Sequence, residues 1–244
     1  MIISHEHKFI FFKPMKVAGS SIEVALAKTC GEKDLQTGSE YNEEIEEYDY
    51  VPKNNELVYH SHTSPPLLYR RSAKKWEDYY TVTVVRNPWD MIVSYYWWSF
   101  NSPTSIRSTA RKPLETIGHQ LWAPQTNDEN TDISSKFQGY LEQMAFFRGT
   151  PYGDEGPIKV IKWLAASTRE FYDESINRII RFENIQEDFN DFCHDVAIEP
   201  QILPHLKSGQ RKKTMSYRDY YDDYSAFLVR KEFRSIIDYF GYEF

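Results

Sequence analysis

The chain has 244 residues, of which 41% are hydrophobic and 16% aromatic, and its formal net charge is −7 at pH 7. These values predict one globular domain spanning residues 1–244, and they argue against general binding to nucleic acid. No apolar run approaches the roughly 20 residues that span a bilayer, the first residues lack the pattern of a signal peptide, and two cysteines are too few for a disulfide framework. We therefore expect a soluble cytoplasmic protein with no membrane partner.

Residues 9–27 predict a strand, a short loop and a helix. The apolar run at 9–12 is too short for a helix, whereas the residues after Ser21 have the i, i+3, i+4 spacing of an amphipathic helix. The first N–H groups of a helix have no partner within it, and the helix dipole adds positive potential there. With Lys16 in the loop and Gly19 giving close access, this segment predicts an anion site.

Further elements follow in chain order. Residues 30–55 are acidic and rich in turn formers, and they predict an exposed excursion. Residues 56–60 predict a short strand that leads into His60-Ser61-His62, and the prolines beyond it start a helix. Residues 79–85 are β-branched or aromatic throughout, which predicts a strand buried on both faces.

Arg86 follows this strand directly, and Asn87 and Pro88 predict the start of a helix that continues to Phe100. Ser94 lies on this helix, about two turns after Arg86. Residues 101–132 are polar and interrupted by prolines, which predicts a variable loop. The remaining pattern predicts helices at 134–147, 158–166, 185–196 and 222–239, a central strand at 177–182, an extended stretch at 202–205 and a basic loop at 207–217.

The alternation of strands and helices predicts an α/β fold with a central, mainly parallel sheet and helices on both of its faces. In such sheets, ligands bind at the carboxyl ends of the strands. The Lys16 turn, the pair His60 and His62, and Arg86 each follow a predicted strand. We therefore expect them to converge at one edge of the sheet.

Two motifs and the C-terminal tail resemble the sulfotransferases that use 3'-phosphoadenosine 5'-phosphosulfate (PAPS). The lysine of a Walker A loop follows its last glycine, whereas Lys16 precedes Gly19, and the order K-x-A-G-S-S resembles the 5'-phosphosulfate loop of sulfotransferases. The segment VVRNPWDMIVSYYWW resembles their 3'-phosphate motif, R-x-P-x-x-x-x-x-S-x-Y, with Arg86 and Ser94 at the matching separation. The runs RFENIQEDFNDFC, LPH, SYRDYYDD and IIDYFGYEF are similar to the tail of carbohydrate sulfotransferases and related microbial or viral enzymes. The resemblance implies a P-loop-like three-layer fold.

The resemblance also implies roles for the matching residues. Groups at the start of the first helix would hold the 5'-phosphate of the donor, namely those of Ala18, Gly19, Ser20 and Ser21. Lys16 would contact the oxygen between phosphorus and sulfur, and Arg86 and Ser94 would bind the 3'-phosphate. Further candidates to close over the 3'-phosphate are Arg211, Lys212, Lys213 and Tyr217. No metal is implied, since protein groups meet the charges of the donor.

His60 and His62 resemble the histidine pair of the hexuronic acid 2-O-sulfotransferases, and the second of the two is the preferred catalytic base. A neutral imidazole is well matched to take a proton from an acceptor hydroxyl near neutral pH. The H-x-H pattern is also half of a zinc site. No further Cys or His cluster accompanies it in the sequence, which favours the role as base.

The sequence thus predicts a PAPS-dependent sulfotransferase that acts on a hydroxyl acceptor, with a carbohydrate as the expected partner and 3'-phosphoadenosine 5'-phosphate (PAP) as product. Three alternatives stay open. They are a P-loop kinase or nucleotidase, an inactive nucleotide-binding module, and an enzyme that sulfates a small phenol or alcohol. The acceptor, the regiochemistry and the oligomeric state are not determined by the sequence.

Overall fold

The computed structural model describes residues 1–38, 41–42, 47–48, 52–55, 59–72, 78–101, 132–143, 158–206 and 215–244. The chain divides into two compact units. The first unit contains Met1–Arg86 and Ser167–Leu206, and the second contains Asn87–Ala166 and Lys207–Phe244. A single domain over residues 1–244 stays a prediction.

Short strands and helices of up to four turns make up the described chain. In chain order they are β1 Ile2–Ser4, β2 Phe9–Phe11, α1 Gly19–Ala27, β3 Leu35–Gln36, β4 Tyr41–Asn42, β5 Glu47–Tyr48, α2 Pro65–Ser72, β6 Tyr80–Val85, α3 Pro88–Asn101, α4 Ile133–Gln143, α5 Ile158–Arg169, β7 Arg178–Arg181, α6 Ile185–Asp195, α7 Asp223–Glu232 and α8 Arg234–Phe240. Two 3₁₀ turns, Phe182–Asn184 and Tyr217–Tyr220, lie between them. The strand, loop and helix predicted at 9–27 are confirmed.

The first unit is built on a five-stranded sheet in the order β3-β1-β2-β6-β7. Strands β2, β6 and β7 are parallel, as expected, but β1 runs antiparallel to both β2 and β3. The sheet is therefore mixed, and the prediction of a mainly parallel sheet is corrected. The physical reason is the tight turn of residues 5–8 between β1 and β2, because only antiparallel neighbours can be joined so briefly.

Apolar residues cover both faces of this sheet. Along β2, Phe9 and Phe11 belong to a core cluster that includes residues of α1 and α6, whereas Ile10 belongs to a second cluster with Leu68 of α2 and Phe171. This alternation follows from the two-residue period of a strand. Helices therefore lie on both faces of the sheet in the first unit, which agrees with the predicted layering.

Aromatic side chains form the interior of the second unit. Trp97 of α3 donates through Nε1 to the hydroxyl of Tyr220 at 3.0 Å, and Trp89 donates to the carbonyl oxygen of Ala226 at 2.9 Å. The ring of Phe137, on α4, lies 4.9 Å from that of Tyr221. Buried Tyr and Trp find polar partners in this way, so these rings belong to the core.

Three further predictions need correction or fall outside the described ranges. The strand predicted at 56–60 lies partly outside them, and Tyr59 and His60 are not in a strand. The expected exposed excursion contains the short buried strand β3, and Asp34 beside it is fully buried because its carboxylate accepts bonds from Ser4 and backbone N–H groups. The final helix is divided at Phe233, whose side chain is buried.

No helix in the described part of the chain is long and apolar enough to cross a membrane.

Candidate functional site

The turn between β2 and α1 has an unusual backbone. Lys16 and Ala18 both adopt left-handed conformations, with φ of 62° and 59°. Helix α1 begins at Gly19, and Ala18 at the N-cap makes no side-chain hydrogen bond to the helix. A side-chain oxygen usually caps the first amides of a helix. With alanine in that position, the start of α1 suits an external anion as acceptor.

Gly19, the first residue of α1, meets a steric requirement that the sequence did not reveal. Its φ is not positive, but a Cβ atom placed on it would overlap Cγ of Lys13 and lie 2.7 Å from Cδ. The Lys13 side chain therefore occupies the space that the missing Cβ leaves. Glycine permits the close approach of a protein side chain here, in addition to any role in admitting a phosphate.

A buried ion pair lies beneath the turn. Lys13 Nζ contacts Glu23 Oε2, and Glu23 Oε1 also accepts from the amino group of Met1. Lys13 is 5% exposed and Glu23 0% exposed. Burial by itself would raise the pKa of Glu23, but the two amino groups outweigh it and lower that pKa. The pair was not identified from the sequence, because nothing in the spacing of residues 13 and 23 marks them as partners.

His62 lies against the same turn. Its Nδ1 is 2.8 Å from the carbonyl oxygen of Lys13. Because a carbonyl oxygen only accepts, Nδ1 carries the proton and Nε2 keeps its lone pair. Burial, followed by the positive charge of Lys13, lowers the pKa of His62, so the ring is neutral near neutral pH. The protein around the imidazole desolvates it in this way, although the residue as a whole is exposed to solvent.

His60 has different surroundings. The residue is exposed, and its carbonyl oxygen accepts bonds from the backbone N–H of Thr63 at 3.0 Å and from its hydroxyl at 2.7 Å. These bonds shape the turn that carries His62. Within the described ranges, no group of three or more His, Cys, Asp or Glu residues is arranged to hold a metal ion.

Arg86 directly follows β6, and its side chain contacts the turn between β2 and α1. Its Nη1 donates to the carbonyl oxygen of Lys16 at 2.8 Å, and its guanidinium carbon lies 3.9 Å from the centre of the Phe182 ring. Phe182 was missed by the sequence analysis. The register pairs Val85 with Arg181, so the next residues along these parallel strands, Arg86 and Phe182, leave the sheet side by side.

The structure thus places Lys16, Arg86 and His62 in the first unit, where Arg86 contacts the Lys16 carbonyl and His62 contacts the Lys13 carbonyl. Ser94 is half-buried on α3 and Tyr217 lies in a 3₁₀ turn, and both belong to the second unit. In that unit, Nδ2 of Asn87 donates to the hydroxyl oxygen of Tyr217 at 3.4 Å. The basic candidates Arg211, Lys212 and Lys213 lie outside the described residues.

The comparison with protein families decides the assignment. A sequence model described as "Sulfotransferase family" matches residues 1–244. The chain belongs to the sulfotransferase family. A search of curated proteins and a search of solved structures each gave no significant match. Enzymes of this family transfer sulfuryl groups, generally from PAPS and on a P-loop-like fold, so this sulfotransferase is assigned to that reaction class.

Proposed function

We propose that this sulfotransferase moves a sulfuryl group from PAPS to a hydroxyl group of a carbohydrate. The contact between Arg86 and the Lys16 carbonyl carries the proposal. It joins the two segments that resemble the 5'-phosphosulfate and 3'-phosphate motifs of the family. Lys16 and Arg86 both belong to the first unit, and their adjacency supports a single nucleotide that both residues contact.

The residues at the turn fit such a donor. The start of α1, which has no side-chain cap, offers backbone N–H groups and a positive dipole end to the 5'-phosphate. Arg86 is held in place by the Lys16 carbonyl and the Phe182 ring, and its planar guanidinium suits a phosphate. Ser20, in the first unit, is assigned a hydroxyl contact to the 5'-phosphate.

His62 is assigned the role of general base. When bound, PAPS supplies an activated sulfuryl group on a phosphate leaving group. His62 Nε2 takes the proton of the acceptor hydroxyl as its oxygen bonds to sulfur, while the bond from sulfur to the phosphate oxygen breaks. Lys16 stabilises the negative charge that grows on that oxygen and favours the transition state over the ground state.

The carbohydrate acceptor is the less constrained part of the proposal. It rests on the resemblance of His60 and His62 to the pair in the hexuronic acid 2-O-sulfotransferases. Residues 101–132, in which the sequence predicted a variable loop, lie largely outside the described ranges. A panel of oligosaccharides, phenols and simple alcohols, offered with labelled donor, identifies the acceptor class.

Thermal unfolding in the presence of nucleotides tests the donor. A ligand that binds only the native state at ~100 times its Kd stabilises that state by about 2.7 kcal/mol. We expect this stabilisation from PAP without magnesium and a smaller one from ATP with magnesium. Stronger stabilisation by ATP and magnesium would favour the kinase alternative and overturn the proposal.

A further inference from the structure

Lys13 has three kinds of contact that the proposed reaction does not use. Its ammonium contacts Glu23, its aliphatic stem fills the space beside Gly19, and its carbonyl oxygen accepts from Nδ1 of His62. Each contact involves a different part of one residue. Together they connect the phosphate-binding turn, helix α1 and the proposed base.

The ion pair between Lys13 and Glu23 connects the two sides of the phosphate-binding turn. Lys13 follows β2, and Glu23 lies on α1, four residues after Gly19 at its start. Their bond therefore joins the chain before the turn to the helix after it. Because both side chains are almost completely buried, they exchange little with water, and the stem of Lys13 stays packed against the glycine.

We infer that Lys13 is a positioning residue of this sulfotransferase. It aligns the phosphate-binding turn through its stem and acts on His62 through both its carbonyl oxygen and its positive charge, while Glu23 anchors its ammonium. The roles of the turn and of His62 rest on the proposed function. The assignment of Lys13 adds a residue outside the motifs that suggested that function.

The charge of Lys13 also acts on the base. In the described part of the chain, the charged groups that act on His62 are the amino groups of Lys13 and Met1, which lower its pKa, and the carboxylate of Glu23, which raises it. Burial is the largest of these influences and also lowers the pKa. If the positive charge of Lys13 is removed, the balance shifts toward Glu23, so the imidazole should bind a proton more readily.

The first test measures the titration of His62 by NMR, without any nucleotide, in Lys13→Met and Lys13→Arg. Methionine keeps much of the stem and removes the charge, whereas arginine keeps the charge. We expect Lys13→Met to move the titration midpoint upward by about half a pH unit or more, and the acid limb of kcat to move with it. Lys13→Arg should restore the wild-type midpoint, and Lys28→Met, at the exposed end of α1, should leave it in place.

A purely structural role for Lys13 would give a different result. Lys13→Met would then lower the unfolding temperature but leave the His62 midpoint and the pH profile of kcat unchanged, and this result would overturn the inference. Because the titration needs no donor, it still decides the question if wild-type protein fails to bind PAP. Failure of PAP binding would reject the proposed function separately.

The second test measures whether the stem of Lys13 and Gly19 act together. The two backgrounds are Lys13→Gln/Glu23→Gln, which keeps much of the stem, and Lys13→Ala/Glu23→Gln, which removes it. Both take the carboxylate away from the amino group of Met1 in the same way, so the comparison between them isolates the stem. Gly19→Ala should weaken PAP binding roughly tenfold in the first background and less than about threefold in the second. Equal losses in both backgrounds would contradict the positioning role.

Discussion

His60 and His62 are two residues apart, and their surroundings separate their roles. The imidazole of His62 is oriented by the Lys13 carbonyl and kept neutral, whereas His60 accepts two hydrogen bonds from Thr63 at its backbone carbonyl oxygen. The two histidines were identified from the sequence, and His62 was preferred as the catalytic base from the family resemblance alone. The tautomer could not be predicted, because it depends on an oxygen atom 49 residues away in the chain.

Substitution of the two histidines tests this difference. His62→Ala should reduce sulfuryl transfer by roughly 10²–10⁴-fold, the range typical of a lost general base, while the Kd for PAP changes less than about threefold. His60→Ala should have a much smaller effect, and His194→Ala, at an exposed site on α6, should have none. Equal losses for His60→Ala and His62→Ala would reject His62 as the base.

At the scale of elements, the exits of β6 and β7 determine how Arg86 is held. The strands are parallel and in register up to Val85 and Arg181, so Phe182 lies beside Arg86 and its ring supports the guanidinium. A positive charge over an aromatic ring gains about 0.5–2 kcal/mol. The ring also restricts the orientation of the planar group that is proposed to bind phosphate.

Phe182→Leu releases the guanidinium from this orientation and should therefore weaken PAP binding, by at most about 30-fold, the factor that corresponds to about 2 kcal/mol. Phe182→Tyr is the matched control, because it retains the ring and should keep the affinity within about twofold. Isothermal titration with PAP measures both. If Phe182→Leu binds PAP as tightly as the wild type, the ring does not contribute to the orientation of Arg86.

At the scale of the whole molecule, each unit has its own interior. The first unit has its mixed sheet covered on two faces, and the second has aromatic contacts that extend to the last residue. The ring of Phe244 lies 5.5 Å from that of Trp89, 5.6 Å from that of Tyr221 and 6.1 Å from that of Tyr217. These contacts tie residue 244 to the first turn of α3.

Phe244→Ala should lower the free energy of unfolding by about 1–3 kcal/mol, because three ring contacts and their buried area are lost. Phe227→Ala provides the comparison, since Phe227 is 58% exposed against 41% for Phe244. Its effect should stay within about 0.5 kcal/mol. Urea unfolding of both variants measures the difference, and equal effects would show that the Phe244 contacts add no stability.

The sequence by itself determined the parts of this protein that depend on neighbours along the chain. Residues 9–27 and 79–100 combine hydrophobic period with turn and cap residues, and these local signals predicted β2, α1, β6 and α3 together with Lys16 and Arg86 at their ends. The family resemblance rested on the same short spacings. Long elements with a clear period could be predicted in this way because their signals repeat.

Only the tertiary structure decided which distant residues became partners. Strand β1 has three residues and no detectable period, so its antiparallel pairing, and with it the mixed sheet, could not be predicted. The pairing of Lys13 with Glu23, the tautomer of His62 and the stacking of Phe182 on Arg86 depend in the same way on three-dimensional packing. Such contacts form only when separate elements pack together, so the spacing of residues along the sequence does not predict them.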